Sequence, residues 1–169
     1  ATAAGCAIGG QGGRGKLLHG LAGKVVDLGV KDPSNMGAAM APAAADSIYR
    51  FLEDTGTAPK DYDGIFTGDL GYVGSTLLLD MLRDNGMELS GVHNDCGLML
   101  FDRQRQDVHA GGSGCGCSAS VLCGHLLNRM ERGELKNILF CATGALMSTT
   151  SQQQGEAIPG VCHIVHLGI

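Results

Sequence analysis

Residues 106–128, QDVHAGGSGCGCSASVLCGHLLN, place glycines, closely spaced cysteines and a histidine directly before an apolar segment. Glycines such as Gly112 and Gly114 allow positive φ angles and let a ligand approach the backbone closely. Ser118 is a suitable N-cap for the segment that follows, whose apolar residues recur at helical spacing. A helix N-terminus presents unpaired N–H groups and positive potential, so this loop is predicted to bind a carboxylate, phosphate or oxyanion.

Two other interpretations of this stretch remain open. The glycines could serve a tight strand-to-helix turn that binds nothing. The spacing Cys115-x-Cys117-x5-Cys123, with His109 and His125 nearby, could hold zinc, although structural zinc sites usually use C-x2-4-C pairs. The chain has seven cysteines, an odd number scattered through apolar contexts. This pattern indicates reduced thiols in a reducing compartment rather than a disulfide framework.

Composition narrows the class of protein. The chain has 169 residues, 44% hydrophobic and 17% charged, which predicts one compact globular domain. The net charge of −5 comes without a basic stripe, so nucleic-acid binding is set aside. No apolar run reaches the roughly 20 residues that cross a bilayer, and we expect a soluble chain that meets membranes only through partners.

Strand and helix patterns alternate along the chain. We predict strands at residues 2–8, 24–30, 64–67, 137–142 and 161–167, a helix with Pro42 in its first turn that ends at Gly56, and further helices at residues 73–83 and after the glycine-rich loop. Residues 96–101 are ambiguous and are interpreted as a strand or edge element, and residues 148–155 as a polar loop. Such alternation indicates an α/β layered domain with functional loops at the carboxyl ends of its strands.

Several segments, taken in order, resemble the C-terminal half of thiolase-fold proteins. The segment that begins NMGAAMAP is similar to their M-G-x-G-P-x-P-A loop and helix, GIFTGDLG falls at their N-E-A-F turn, GSGCGCSA at their G-H-P-x-G-A-S-G loop, and CATGALMS resembles their C-x-G-G-G loop. Within this fold, GKVVDLGVKDPSNMGAAMAPAAADSI, HNDCGLMLFD, QDVHAGGSGCGCSASV and SQQQGEAIPGVCH resemble the stage V sporulation protein AD family. The resemblance covers nearly the whole chain.

This resemblance implies a thiolase-like layered domain, in which a mixed sheet is covered by helices. Residues 1–169 would form a single C-terminal half-domain, with the N-terminal half absent from the chain. We therefore expect an exposed apolar face that pairs with the missing half or with a second copy in a homodimer.

The resemblance also implies a function. The protein would bind dipicolinic acid, with or without calcium and without another cofactor, and help to load it into the developing spore. Its partners would be membrane proteins of the same sporulation operon. Its location would be the cytoplasm or forespore, peripheral to the inner spore membrane.

Departures from the thiolase pattern favour a binding protein over an enzyme. Ser113 replaces the catalytic histidine and Gly68 the asparagine, while Asp69 keeps the acidic neighbour. Cys141, or Ala142 after a one-residue shift, falls at the proton-transfer cysteine. The nucleophilic cysteine belongs to the missing half, and acyl chemistry needs a thiolate, a base and an oxyanion hole together.

A flat dianion such as dipicolinate requires hydrogen-bond donors around an apolar slot. The predicted ligand-binding residues are His109, Gly112, Ser113, Gly114, Cys115, Cys117, Ser118, Asp69 and Asn94. His109 could instead only cap the turn, and Asn94, Asp95 and Asp69 could position donors, coordinate calcium or simply form turns. The polar residues 152–156 could cover the site, contact a partner or be solvated.

Two further functions stay open. The chain could be an acyltransferase in which Cys115 or Cys117 acts as the nucleophile, activated by the helix N-terminus. It could also be a scaffold subunit of a spore membrane complex, with no affinity for small molecules.

Overall fold

A computed structural model describes residues 15–110, 114 and 116–169, together with the backbone of Cys6–Ile8. Six strands form one sheet: β1 (Cys6–Ile8), β2 (Gly15–Leu21), β3 (Gly64–Thr67), β4 (His93–Asp95), β5 (Asn137–Ala145) and β6 (Gly160–Gly168). The helices are α1 (Met36–Thr55), α2 (Gly71–Asp84), α3 (Cys96–Leu100), α4 (Cys117–Val121), α5 (Leu127–Glu131) and α6 (Thr149–Gln153). A π-helical turn, Leu122–Leu126, joins α4 to α5, and we call this continuous segment the central helical run.

The sheet is mixed, with strand order β1-β2-β6-β5-β3-β4. Strand β3 is parallel to both of its neighbours, so that Thr67 pairs with Asp95 on one side and with Cys141 on the other. The remaining pairs are antiparallel. The carboxyl ends of β3, β4 and β5 therefore lie at one edge of the sheet, where the chain leaves each strand.

Both faces of the sheet are covered, because alternate residues of each strand point to opposite sides. Ile65 and Leu139 pack into a core with α1 and α2, whereas their neighbours Phe66 and Phe140 pack into a second core with the central helical run. The predicted α/β class, with a mixed sheet covered by helices, is confirmed. The prediction that residues 137–142 form a central strand is also confirmed, since β5 lies between β6 and β3.

The predicted start of α1 is wrong. The helix begins at Met36, so Pro42 lies inside it rather than in its first turn. Pro33 takes the predicted role instead, in a 3-10 turn whose N-cap is the carboxylate of Asp32. Burial around Pro42 stabilises this helix in spite of the missing N–H group. The helix ends at Gly56, with φ of 64°, as predicted.

The predicted strand at residues 24–30 is also wrong. This segment makes only one bridge, between Val26 and Gly160, and Leu28 is 66% exposed. The edge of β6 is occupied by β2, which the sequence pattern did not reveal. Of the predicted first strand, residues 2–5 lie outside the described residues, as do residues 9–14 of the turn that follows.

Two short helices lie where the sequence predicted other structure. Residues 96–101 contain α3, because the Asp95 carboxylate accepts hydrogen bonds from the first backbone N–H groups of that helix. The predicted loop at residues 148–155 contains α6, which begins with a capping box between Ser148 and Ser151.

The central helical run starts two residues earlier than predicted. Gly116 is its N-cap, without a side-chain capping hydrogen bond, and Ser118 lies inside the first turn. Leu126 and Met130 are buried against the sheet, whereas Cys123 and Gly124 are exposed on the outer side. Within the described parts of the chain, no helix has both the length and the apolar character to cross a membrane.

Helices α1 and α2 meet at two glycines. A Cβ atom on Gly74 would lie 2.8 Å from the Cα atom of Gly37, and a Cβ on Gly37 would lie 2.2 Å from the carbonyl oxygen of Leu70. The crossing of these helices therefore depends on the absence of side chains at both positions.

We predict that Gly74→Ala lowers the free energy of unfolding by about 1–3 kcal/mol, because the added methyl group must push two backbones apart. The matched control is Gly124→Ala, where a Cβ meets no atom within 4 Å. Alanine favours a helix over glycine by about 1 kcal/mol, so the control is expected to be neutral or stabilising. Denaturant titration of both variants checks this, and equal effects of the two substitutions would contradict it.

Candidate functional site

A cavity of about 450 Å³ opens at the edge of the sheet where β3 and β5 end. Its walls come from the first turns of α1, the loop after β3, the start of the central helical run and the end of β5. The lining residues are Met36, Met40, Asp69, Gly114, Ser118, Thr143, Gly144 and Ala145. This position agrees with the rule that ligands bind beyond the carboxyl ends of parallel strands.

The loop after β3 is held against the end of β5. The backbone N–H of Asp69 lies 3.3 Å from the hydroxyl oxygen of Thr143, which accepts its hydrogen bond. A Cβ atom on Gly68 would lie 2.5 Å from the same hydroxyl. Glycine at position 68 therefore lets the two segments come together, with the Thr143 hydroxyl in the space of the missing side chain.

A single buried carboxylate fixes the other end of this loop. Asp95 is fully buried and accepts five hydrogen bonds, from the Thr67 hydroxyl at 2.7 Å and from the backbone N–H groups of Leu70 at 2.8 Å, Gly71 at 3.0 Å, Gly97 at 3.0 Å and Leu98 at 3.3 Å. These donors belong to the end of β3, the start of α2 and the start of α3. Asp95 therefore joins three elements at the edge that carries the cavity.

Two carboxyl groups thus lie near each other in different surroundings. Burial raises the pKa of Asp95, while hydrogen bonds from Thr67, Leu70 and Gly71 act in the opposite direction. Burial also raises the pKa of Asp69 to about 6, the charge of Asp95 adds to this, and a single backbone hydrogen bond from Gly114 opposes it. Asp69 therefore changes its protonation state close to neutral pH.

A hydrogen-bonded chain runs behind Asp95. The Thr67 hydroxyl donates its one proton to Asp95, and the Nε2 atom of His93 lies 3.0 Å from the Thr67 oxygen. Nε2 must therefore carry the proton and donate it to Thr67. Burial lowers the pKa of His93 to about 4, so the imidazole is neutral at physiological pH.

The structure brings together three of the predicted ligand-binding residues, Asp69, Gly114 and Ser118. Three others lie elsewhere. Cys117 is buried in the second core, and the side chain of His109 is 90% exposed, with its Nε2 atom 3.7 Å from the Asp107 carboxylate. Asn94 is exposed and accepts a hydrogen bond from the Asp95 N–H. Gly112, Ser113 and Cys115 lie outside the described residues.

The sequence did not reveal the two methionines that line the cavity or one of its hydroxyl groups. Met36 and Met40 belong to the lining, and no local pattern distinguished them from ordinary core residues. Thr143 had a weak signal, since it follows Cys141 and Ala142 in the segment compared with the C-x-G-G-G loop. Asp95 was considered as a calcium ligand, but both of its oxygens accept hydrogen bonds within the protein.

The cysteines of the zinc and proton-transfer hypotheses do not meet at the cavity. Cys117 is 1% exposed, whereas Cys123 and His125 are exposed on the outer side of the helical run. Cys141 is buried in the first core, where a hydrogen bond with Cys162 and burial both raise its pKa. Among the described residues, no group of three or more His, Cys, Asp or Glu side chains is arranged to hold a metal ion. None of the five cysteines with described side chains forms a disulfide bond.

A second cavity, of about 360 Å³, lies between β2, β6 and the end of α1. His19 and His166 line it, with their Nδ1 atoms 2.9 Å apart. None of the predicted ligand-binding residues belongs to this lining, so we place the candidate site at the Asp69 cavity.

The family model for Stage V sporulation protein AD (SpoVAD) matches residues 1–168. The chain belongs to the stage V sporulation protein AD family. A curated relative from Bacillus subtilis (strain 168), named stage V sporulation protein AD, is 45% identical over 148 residues. The match covers 88% of this chain and 44% of the relative, so the chain spans less than half of that protein's length.

Solved structures similar to this family member include an acetyltransferase and a thiolase. An acetyl-CoA acetyltransferase from Syntrophomonas wolfei has a TM-score of 0.48 and 15% identity, covering 91% of this chain and 31% of the enzyme. Human mitochondrial 3-ketoacyl-CoA thiolase in complex with CoA has a TM-score of 0.46 and 18% identity, covering 92% of this chain and 30% of the enzyme.

We predict that Asp95→Ala lowers the free energy of unfolding by at least about 3 kcal/mol, because five donors lose their common acceptor. Asp80→Ala is the matched control, since Asp80 is exposed and pairs with Arg83 on the surface of α2. Its expected effect is below about 1 kcal/mol. Urea denaturation of both variants measures the difference, and similar midpoints would refute the role given to Asp95.

We also predict that His93→Gln changes how stability depends on pH. A folded pKa of about 4, below the ordinary value of 6.5, means that the unfolded chain binds the proton first. Protonation of His93 therefore destabilises the wild type as the pH falls from about 6.5 to about 4, and the variant lacks this contribution. Protonation of Asp69, whose pKa is raised, stabilises the folded protein over part of the same pH range. The quantity to compare is therefore the difference in unfolding free energy between the variant and the wild type.

The control for this pH experiment is His109→Gln, because His109 is exposed on a surface loop. Because the His109 side chain is 90% exposed, this substitution should change the unfolding free energy little. If the difference in unfolding free energy between His93→Gln and the wild type does not change with pH, His93 does not cause the predicted pH dependence.

Proposed function

We propose that this family member is a non-catalytic protein that binds dipicolinic acid in the Asp69 cavity and takes part in its uptake into the developing spore. The proposal rests mainly on the lining of the cavity, which combines apolar and hydroxyl-bearing residues. Met36 and Met40 are the apolar residues, and Ser118 and Thr143 carry the hydroxyl groups. Membership of a sporulation family is the second support.

The cavity suits the chemistry of this ligand. Dipicolinate is a flat ring with two carboxylates beside the ring nitrogen. The thioethers of Met36 and Met40 can pack against the ring, and the Ser118 hydroxyl can donate to a carboxylate. Ser118 also lies in the first turn of the central helical run, where the helix dipole favours a negative charge. The volume of about 450 Å³ lies in the usual range for small-molecule sites.

The surroundings of Gly68, Cys117 and Cys141 support a protein that binds a ligand without transferring an acyl group. Gly68 offers no side chain, and the Thr143 hydroxyl fills the space beside it. Cys117 is buried in the second core and Cys141 in the first, so neither thiol lines the cavity. A nucleophilic cysteine has to be an accessible thiolate close to the substrate.

The wider role in the spore rests on the same proposal. We place the protein beside membrane proteins of its operon, at the inner spore membrane, as a peripheral subunit. The exposed residues after α6, Gln154 and Glu156, form a polar surface suited to such a partner. Because the chain spans 44% of the curated relative, segments outside it could complete the ligand contacts or a dimer.

Isothermal titration with dipicolinic acid tests the proposal, with and without calcium. We expect selective binding over an isomeric pyridine dicarboxylate. Ser118→Ala should weaken binding by about five- to tenfold, because it removes one hydrogen bond worth roughly 1 kcal/mol. Ser120→Ala is the control, since that exposed hydroxyl donates to the Gly116 carbonyl on the same helix.

Two results would count against the proposal. A folded protein that binds neither isomer would favour the scaffold function instead. Equal losses in the two serine variants would show that the binding site lies away from the Asp69 cavity.

A further inference from the structure

Asp69 is the one ionisable side chain among the described residues that line the cavity proposed for dipicolinate. Its position is fixed at two points: the Asp69 N–H donates to Thr143, and the carboxyl group accepts a hydrogen bond from the Gly114 N–H. The carboxyl group is therefore held at the wall of the cavity while a ligand enters. A bound dicarboxylate must lie close to it.

The charged and titratable groups around Asp69 do not offset its negative charge. Asp95, behind the loop, adds a second negative charge, and Cys96 at the start of α3 has its pKa raised to about 12, chiefly by burial. His93 stands behind Asp95 and is neutral. The facing segments of α1, β5 and the helical run contribute Met36, Met40, Thr143 and Ser118 to the lining, none of which carries charge.

An ionised Asp69 would repel a dianion in this partly buried cavity, where charges are screened less than in water. A protonated carboxyl group removes this repulsion and gains an O–H donor for a ligand carboxylate. We propose that Asp69 contacts the ligand in its protonated form, so that each dicarboxylate enters the cavity together with one proton. This inference rests on the proposed function and adds the control of that same site by pH.

Asp69 takes up a proton readily even before the ligand binds. Burial and Asp95 raise the pKa of Asp69 to about 6, and a neighbouring dianion raises it further. Below that pH the site is protonated before the ligand arrives, and affinity is at its maximum. Above it, each further pH unit lowers the affinity about tenfold, until the pKa of the complex is passed. A rise in pH therefore releases the ligand.

Titration calorimetry with dipicolinic acid in calcium-free buffers tests the inference. At about pH 7.5, two buffers of different ionisation enthalpy should report the uptake of about one proton per ligand bound. Between about pH 6.5 and 8.5 the dissociation constant should rise about tenfold per unit. Both ligand carboxyl groups stay ionised in this range, since ordinary carboxyl pKa values are near 4.

Asp69→Asn supplies the matched comparison, because its amide keeps a hydrogen-bond donor without the charge. Its affinity should be the same at both ends of the pH range, with no proton uptake. Asp107→Asn, on the exposed loop before the helical run, should behave as the wild type.

Several outcomes would overturn the inference. These are wild-type binding that is independent of pH, affinity that increases with pH, or a pH dependence that survives in Asp69→Asn. Each would leave dipicolinate binding itself in place. Absence of binding at every pH, by a folded wild type, would overturn the proposed function and this inference together. The buffer comparison on the wild type needs no variant, so the test does not depend on the folding of Asp69→Asn.

Discussion

The buried carboxylate of Asp95 is the interaction on which this structure depends. Its five donors come from the end of β3, the first turn of α2 and the first turn of α3. These groups would otherwise be unsatisfied helix ends, buried beside the sheet. Because the Leu70 and Gly71 N–H groups donate to Asp95, the short loop before them is held in one conformation. In this conformation the Asp69 N–H donates to Thr143, and Asp69 lines the cavity.

Asp69 and Asp95 show how surroundings assign different roles to the same side chain. Asp95 is enclosed by donors and serves as a structural link between elements. Asp69 has one backbone donor, partial burial and a negative neighbour, and its pKa rises to about 6. A group of this kind in a cavity is a candidate for function, because small changes in its surroundings alter its charge at neutral pH. The charge of the structural Asp95 thus helps to raise the pKa of Asp69.

Local sequence patterns predicted part of this fold, and the reasons for the misses are physical. Gly64–Thr67 and the strand from Asn137 were predicted because burial on both faces leaves continuous apolar runs. The helix at Cys96–Leu100 was missed because Asp95 starts it through tertiary contacts, and β2 because its pairing with β6 joins residues nearly 150 positions apart. Ser118 was selected as an N-cap, yet it lies inside the helix and lines the cavity. Met36 and Met40 reach the site only through the packing of α1.

A crystal structure of the protein with dipicolinic acid bound tests most directly whether the Asp69 cavity is the binding site. We expect the ring to pack against Met36 and Met40, with one ligand carboxylate within hydrogen-bonding distance of the Asp69 carboxyl group and the Ser118 hydroxyl. Dipicolinate bound instead in the cavity lined by His19 and His166, with no ligand in the Asp69 cavity, would contradict this expectation.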